Sequence, residues 1–121
     1  MQTLKKILIV DDVVNNRFLI NRILQKKHLK TCEAANGFEC IQYLEEDSEV
    51  SLIFMDIEMP KMDGIQATRV IKERWPDVKV VFQTSCMTYE NINKIKEIGN
   101  YRILEKPLMA DDIKECIDSL E

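Results

Sequence analysis

Five short apolar runs punctuate the chain, and a segment with helical spacing follows each of them. The runs are KKILIV at 5–10, KTCEA at 30–34, SLIFM at 51–55, VKVVFQ at 78–83 and YRIL at 101–104. Near-continuous apolar strands of this length suit burial on both faces, which is typical of parallel sheets. Between the runs, apolar residues recur every three or four positions. Leu19, Ile20, Ile23 and Leu24 do so in 15–27, and Cys40, Ile41 and Leu44 in 37–46. Ile65, Thr68, Ile71 and Trp75 share a face in 64–75, and Ile92, Ile95 and Ile98 in 88–98. Segment 110–120 carries Ile113, Cys116, Ile117 and Leu120, a full amphipathic stripe. Strand and helix therefore alternate five times. Such a chain folds as α/β, a parallel sheet with helices on both faces joined by right-handed crossovers. Asn36-Gly37 turns the chain into the second helix, Pro76 stops the third, and Asp111 and Asp112 suit the positive start of the fifth. With 121 residues, a single domain spanning 1–121 is expected.

Charge and composition exclude several functions. A net charge of -4 and a pI near 5.1 argue against direct nucleic-acid binding. No stretch approaches the roughly 18 apolar residues of a membrane span. The start, MQTLKKILIVDD, has only a short apolar run before two aspartates, so export is set aside and a cytoplasmic location expected. Cys32, Cys40, Cys86 and Cys116 form no CxxC pair and read as reduced core thiols. His28 is the only histidine and sits in the basic run QKKHLK, a surface residue at a helix end. Multi-histidine metal sites are thereby excluded, and a Ser-His-Asp triad would rest on this one residue. Glycine occurs only at 37, 64 and 99, so neither GxGxxG nor a P-loop can be built.

In open parallel sheets, ligands bind at the carboxyl ends of the strands. Strand one ends in Asp11-Asp12, strand three in Asp56, strand four in Gln83-Thr84-Ser85, and strand five runs to Lys106-Pro107. Three carboxylates close together repel one another and raise each other's pKa values. A hard divalent cation relieves that repulsion, and Mg²⁺ suits a few carboxylates plus waters and a phosphate oxygen. Asp56 is central and can act as a nucleophile toward a phosphoryl group. Mg²⁺, Lys106 and the Thr84 hydroxyl would then face the phosphoryl oxygens. In IFMDIEMPKMDG, Pro60 and Gly64 punctuate a tight loop beside Asp56. Each residue also has a plainer role available. Asp11-Asp12 can cap a helix, Asp63 can be a loop or cap residue, and Thr84 and Ser85 can be turn residues. Lys106 can be a solvated loop lysine, and Glu58 faces solvent close enough to tune access to Asp56. Convergence at four strand ends favours the chemical reading over the separate plain ones.

These residues resemble the receiver domain of two-component response regulators along essentially the whole chain. The carrying motifs are VDD at 10–12, MDIEMPKMDG at 55–64, the hydroxyl at Thr84 and KP at 106–107, with Gly99 between the last two. The DDVVNNR start is similar to receivers of hybrid sensor kinases and of stand-alone regulators. The resemblance implies a flavodoxin-like (βα)5 doubly wound fold with a five-stranded parallel sheet in the order 2-1-3-4-5. It implies Asp56 as phosphoacceptor, Thr84 as switch hydroxyl and Lys106 as phosphoryl clamp. It implies Mg²⁺ held by Asp12 and Asp56, the backbone carbonyl of Glu58, and Asp11 mostly through water, with a cis bond before Pro107. The implied function is that of a phosphorelay signal receiver rather than an enzyme with an external substrate. It accepts its phosphoryl group from a histidine on a histidine kinase or phosphotransfer protein, then alters partner binding or relays the group. The implied state is a monomer or a weak phosphorylation-linked dimer, with no membrane partner.

Two positions depart from the family pattern. Ile103 stands where an aromatic is usual, three before Lys106, and Ser85 stands where alanine usually follows the switch hydroxyl. The threonine-aromatic coupling is the feature these changes affect. Three rivals remain. A small aspartyl-phosphate hydrolase needs a DxD pattern and a cap that this chain lacks, although Glu58 has the right spacing. A nucleotide or flavin domain lacks its glycines. A non-phosphorylated docking module is opposed by the complete set of key residues, while Ile103 keeps it open.

Overall fold

The computed structural model describes residues 4–120. Five strands and five helices alternate. They are β1 (Lys6–Val10), α1 (Val14–Gln25), β2 (Lys30–Ala34), α2 (Gly37–Glu46), β3 (Val50–Asp56), α3 (Gly64–Arg74), β4 (Lys79–Thr84), α4 (Tyr89–Ile98), β5 (Arg102–Glu105) and α5 (Ala110–Leu120). All neighbouring strands are parallel, in the order β2-β1-β3-β4-β5. The expected topology is therefore the observed one.

Strand side chains alternate across the sheet, so each strand feeds two cores. Ile7, Ile9, Leu52, Phe54 and Val81 pack with Ile20 and Leu24 of α1 and with Ile113, Cys116 and Ile117 of α5. Leu8, Val10, Ile53, Met55, Val80 and Phe82 face the other way, onto Cys40 and Leu44 of α2, Ile65 and Ile71 of α3, and Ile95 of α4. Burial of each such large side chain contributes about 1.5–3 kcal/mol before the entropy of ordering is counted. Two helices on one face and three on the other explain why β1, β3 and β4 are nearly all buried.

The outer strands differ from the expectation of five buried runs. β2 and β5 are only partly covered and carry Thr31, Glu33, Arg102 and Glu105. Each lies at a sheet edge with one neighbour, and five helices do not reach both faces there. Tyr101, just before β5, sets its ring edge-on to Phe82 at 5.6 Å and 86°. Ile103 pairs with Phe82 and packs, half-buried, against the same core.

The cysteines are all free thiols. Cys40 and Cys116 are buried, and burial pushes the Cys40 thiol up to about 12. Cys86 corrects the core reading, because it is half-buried in the loop after β4. His28 is exposed in the turn after α1, at φ 60°. Asp63 caps α3, accepting from Gln66 N–H while the Gln66 side chain accepts from Asp63 N–H. No helix among the described residues is long and apolar enough to cross a membrane.

Candidate functional site

Strand register decides which side chains meet at the carboxyl edge. Val10 pairs with Met55, and Asp56 pairs with Gln83. Asp11 and Asp56 thus leave adjacent strands at the same level, on the face of α1 and α5. Backbone bonds extend this order past the strands: Asp11 N–H donates to Ala34 C=O, Ile57 N–H to Gln83 C=O, and Lys106 N–H to Thr84 C=O. The peptide bond between Lys106 and Pro107 is cis. Asp56, Thr84 and Lys106 therefore sit where rigid strands end.

Asp11 is fully buried and Asp56 is 4% exposed, whereas Asp12 lies open to solvent. Each of the three offers a carboxylate oxygen, and these oxygens lie within 4.8 Å of one another. The Lys106 ammonium bridges the buried pair, 2.7 Å from Asp11 Oδ2 and 3.3 Å from Asp56 Oδ1. Burial pulls the Lys106 ammonium down, but its bonds to Asp11 and Asp56 outweigh that and the net shift is upward. Asp56 is pushed up to about 7, first by burial and then by the Asp11 charge, against the pull of Lys106. Burial and the Asp11 charge together outweigh the one lysine at this carboxylate.

The donor set fits a hard divalent cation. All candidate ligands are oxygens, and one member, Asp12, faces the open cleft of about 470 Å³ that also borders Asp56, Glu58 and Lys106. Asp11 has no free oxygen to offer directly. Its Oδ1 accepts from Val13 N–H at 2.8 Å and its Oδ2 from Lys106. Both of its oxygens are thus already engaged, unlike those of the exposed Asp12. Neither aspartate is the N-cap of α1, which is Val13, although Asp11 holds the Val13 N–H just ahead of the helix.

The raised Asp56 value carries a pH signature. In metal-free protein, the folded state binds a proton on Asp56 up to about pH 7, while the unfolded chain releases it near the ordinary carboxylate value. Between those limits the folded state holds more protons, so stability falls as pH rises, by a few kcal/mol in all. Mg²⁺ favours the ionised carboxylate. Its gain in thermal midpoint should therefore be small at pH 5, grow toward pH 7 and flatten above. A midpoint gain independent of pH would remove Asp56 from the metal site.

Thr84 is fully buried, and its hydroxyl has two partners. Oγ1 accepts from Cys86 N–H at 2.9 Å and donates to Glu58 Oε1 at 3.4 Å. The turn role therefore holds for this residue, while its hydroxyl also reaches a residue of the cleft. Glu58 is exposed at the cleft mouth, as expected, and its contact with Thr84 was not foreseen. Arg17 is a second residue that the sequence reading passed over. Its guanidinium donates to Asp11 C=O at 2.5 Å and to Glu33 Oε1 at 2.9 Å, tying the loop after β1 to β2. The available signal was a lone arginine early in the first helix, just after the paired aspartates. Ser85 is exposed at the cleft.

The response regulator receiver domain family matches residues 7–118. Sporulation initiation phosphotransferase F of Bacillus subtilis is 30% identical over 113 residues, covering 93% of this chain and 90% of that protein. Chemotaxis protein CheY of Halobacterium salinarum is 33% identical, covering 96% of each. Among solved structures, the CheX-CheY-BeF3-Mg+2 complex from Borrelia burgdorferi superposes with a TM-score of 0.86 at 25% identity, covering 96% of this chain and 88% of that one.

Proposed function

We propose that this chain, which belongs to the response regulator receiver domain family and is a phosphorelay signal receiver, takes its phosphoryl group on Asp56. The observation that carries this reading is the Lys106 ammonium held 3.3 Å from a central, nearly buried Asp56 carboxylate. Asp56 supplies the attacking oxygen. Lys106 shifts from the two carboxylates toward the phosphoryl oxygens as charge accumulates on them. Thr84 must give up Glu58 as acceptor before its hydroxyl can donate to the same group. Mg²⁺, held by Asp12, Asp56 and the Glu58 backbone carbonyl with Asp11 behind water, would supply the remaining positive charge. The Borrelia burgdorferi complex combines Mg²⁺ with BeF3, which supports that choice of ion.

The donor is a phosphohistidine on a kinase or phosphotransfer protein. It has to enter by the cleft, and the side chains flanking that entrance are apolar. Val13, Val14, Phe18 and Leu19 are 46–64% exposed along the start of α1. Such a patch suits contact with a protein donor. Acetyl phosphate tests the chemistry without that protein. Phosphoryl incorporation should require Mg²⁺, and Asp12→Asn should slow it roughly 10–100-fold, the cost seen even for outer-shell metal partners. Incorporation at the parent rate would overturn the metal assignment.

The switch is expected to be shallow. A phosphoryl group adds about -1.5 to -2 charge to an acidic site and recruits Thr84 and Lys106. The loops after β4 and β5 move inward, and α4, β5 and α5 follow as a two-state shift. Ile103 offers a smaller packing difference between the states than a ring would. The rings near it, Tyr101 and Phe82, are already engaged with each other. Beryllofluoride should therefore shift amide NMR signals in α4 and β5 with incomplete conversion. Changes confined to the loops around Asp56 would favour a plain phosphoryl relay.

A further inference from the structure

Gln83 is the residue of β4 that the proposed chemistry leaves unused. It pairs with Asp56 in register, so the two side chains leave neighbouring strands on the same face. It is fully buried. Its Nε2 donates to Val10 C=O at a long 3.5 Å, and its Oε1 is the one buried side-chain oxygen or nitrogen among the described residues without a partner. Turning the amide over would set its oxygen against Val10 C=O and leave the nitrogen orphaned as well. A buried amide oxygen with no partner is costly, and apolar residues are the ordinary occupants of such a position.

A cavity of about 60 Å³ lies against this amide, between the sheet and α1. Leu19, Ile20, Ile23 and Leu108 form its apolar walls, and Gln83, Asn16 and Lys106 are its polar ones. A buried water needs on the order of 10–15 Å³ and two to four polar partners. Both conditions are met. The Lys106 ammonium has three donors, and two of them are spent on Asp11 and Asp56. The third has no acceptor among the described residues. Gln83, with an unpartnered oxygen, and Lys106, with a donor to spare, thus line one cavity.

We infer that this cavity holds ordered water linking Gln83 Oε1 to the Lys106 ammonium, which makes Gln83 a positioning residue for the phosphoryl clamp. The inference rests on the proposed role of Lys106. The water fixes the lysine from the α1 side, so the ammonium is already oriented when the phosphoryl group arrives. Asn16, whose Nδ2 donates to Asp11 Oδ1 at 3.5 Å, closes the same ring of polar groups.

Two measurements test it. In the metal-free parent, the Gln83 side-chain amide protons should show NMR cross-relaxation with long-lived water. Gln83→Met keeps the volume and removes the amide. It should lower the thermal midpoint, slow acetyl phosphate labelling roughly 3–10-fold, and leave the Mg²⁺ affinity unchanged. A purely structural amide would lower the midpoint without slowing the folded variant. No water signal in the parent, or parent-rate labelling of Gln83→Met, would overturn the inference. A higher midpoint in Gln83→Met would also overturn it, because removing an idle buried amide from a dry cavity is stabilising. A parent that takes no phosphoryl group would instead refute the reading of Asp56, and the water signal would still report on the cavity.

Discussion

Asp56→Asn should take up no phosphoryl group from acetyl phosphate under conditions where the parent gains one. Asparagine keeps the shape of the side chain and removes the nucleophilic oxygen pair. The neighbours cannot substitute for it in place. Asp11 has both oxygens engaged, by Val13 N–H and by Lys106. Asp12 is exposed and is not among the partners of Lys106. Loss of labelling through misfolding is separable from loss of the acceptor, because the two move stability in opposite directions. Above pH 7 and without metal, the parent carries an ionised, nearly buried carboxylate beside Asp11. Asparagine removes that repulsion, so the variant should be at least as stable as the parent there. Intact mass reads the first outcome and thermal melting the second. Labelling of the variant at the parent level would move the acceptor to another carboxylate.

The fold was legible because its dominant signal is local. Apolar runs of four to six residues and stripes of period 3.6 are written directly into the chain, and their alternation leaves few topologies. KKILIV and VKVVFQ could be recognised as strands because both of their faces are covered. The exposure of β2 and β5 was not legible, since the strand order determines which runs become edges, and that order came from family resemblance. The ends of β3 and β4 extend to Asp56 and Thr84, one residue beyond the apolar runs. Backbone bonding continues after the hydrophobic signal has stopped.

The site was legible to the same extent. Asp11, Asp12, Asp56, Thr84 and Lys106 could be gathered because each lies at or just past the end of a strand, and the sheet brings strand ends together. Contacts made across elements could not be read in this way. Arg17 reaches Asp11 C=O from a helix, and Glu58 reaches Thr84 from a loop. Gln83 looked like one more strand-end polar residue. Its burial and its unpaired oxygen depend on α1 closing over it, which no local pattern announces.

Gly64→Ala should be the most damaging of the three possible Gly→Ala substitutions. Gly64 begins α3 immediately after the loop that follows Asp56, and its N–H donates to Ile57 C=O at 2.9 Å. A methyl group there would lie 2.0 Å from Asp56 C=O and 2.7 Å from Met55 Cγ. The nearer atom is backbone of a central strand, hydrogen-bonded on both sides, so it cannot give way cheaply. Relief requires either α3 or the end of β3 to move, at a cost of about 3 kcal/mol, the upper end for overpacking. In Gly37→Ala the methyl would meet Met62 Cγ at 2.7 Å and Met62 C=O at 2.8 Å, in a loop between elements. That loop can shift, so the cost is smaller. In Gly99→Ala the nearest atom is Tyr101 Cε2 at 3.2 Å, and a small ring movement accommodates it. Alanine otherwise restricts the unfolded chain and gains about 0.4–1 kcal/mol, so this last variant should be close to neutral. Urea midpoints should rank Gly99→Ala above Gly37→Ala, with Gly64→Ala lowest. Folded Gly64→Ala should also label slowly, because the displaced atom belongs to Asp56 itself. A Gly64→Ala midpoint equal to that of Gly37→Ala would show that α3 is not packed directly on the Asp56 backbone.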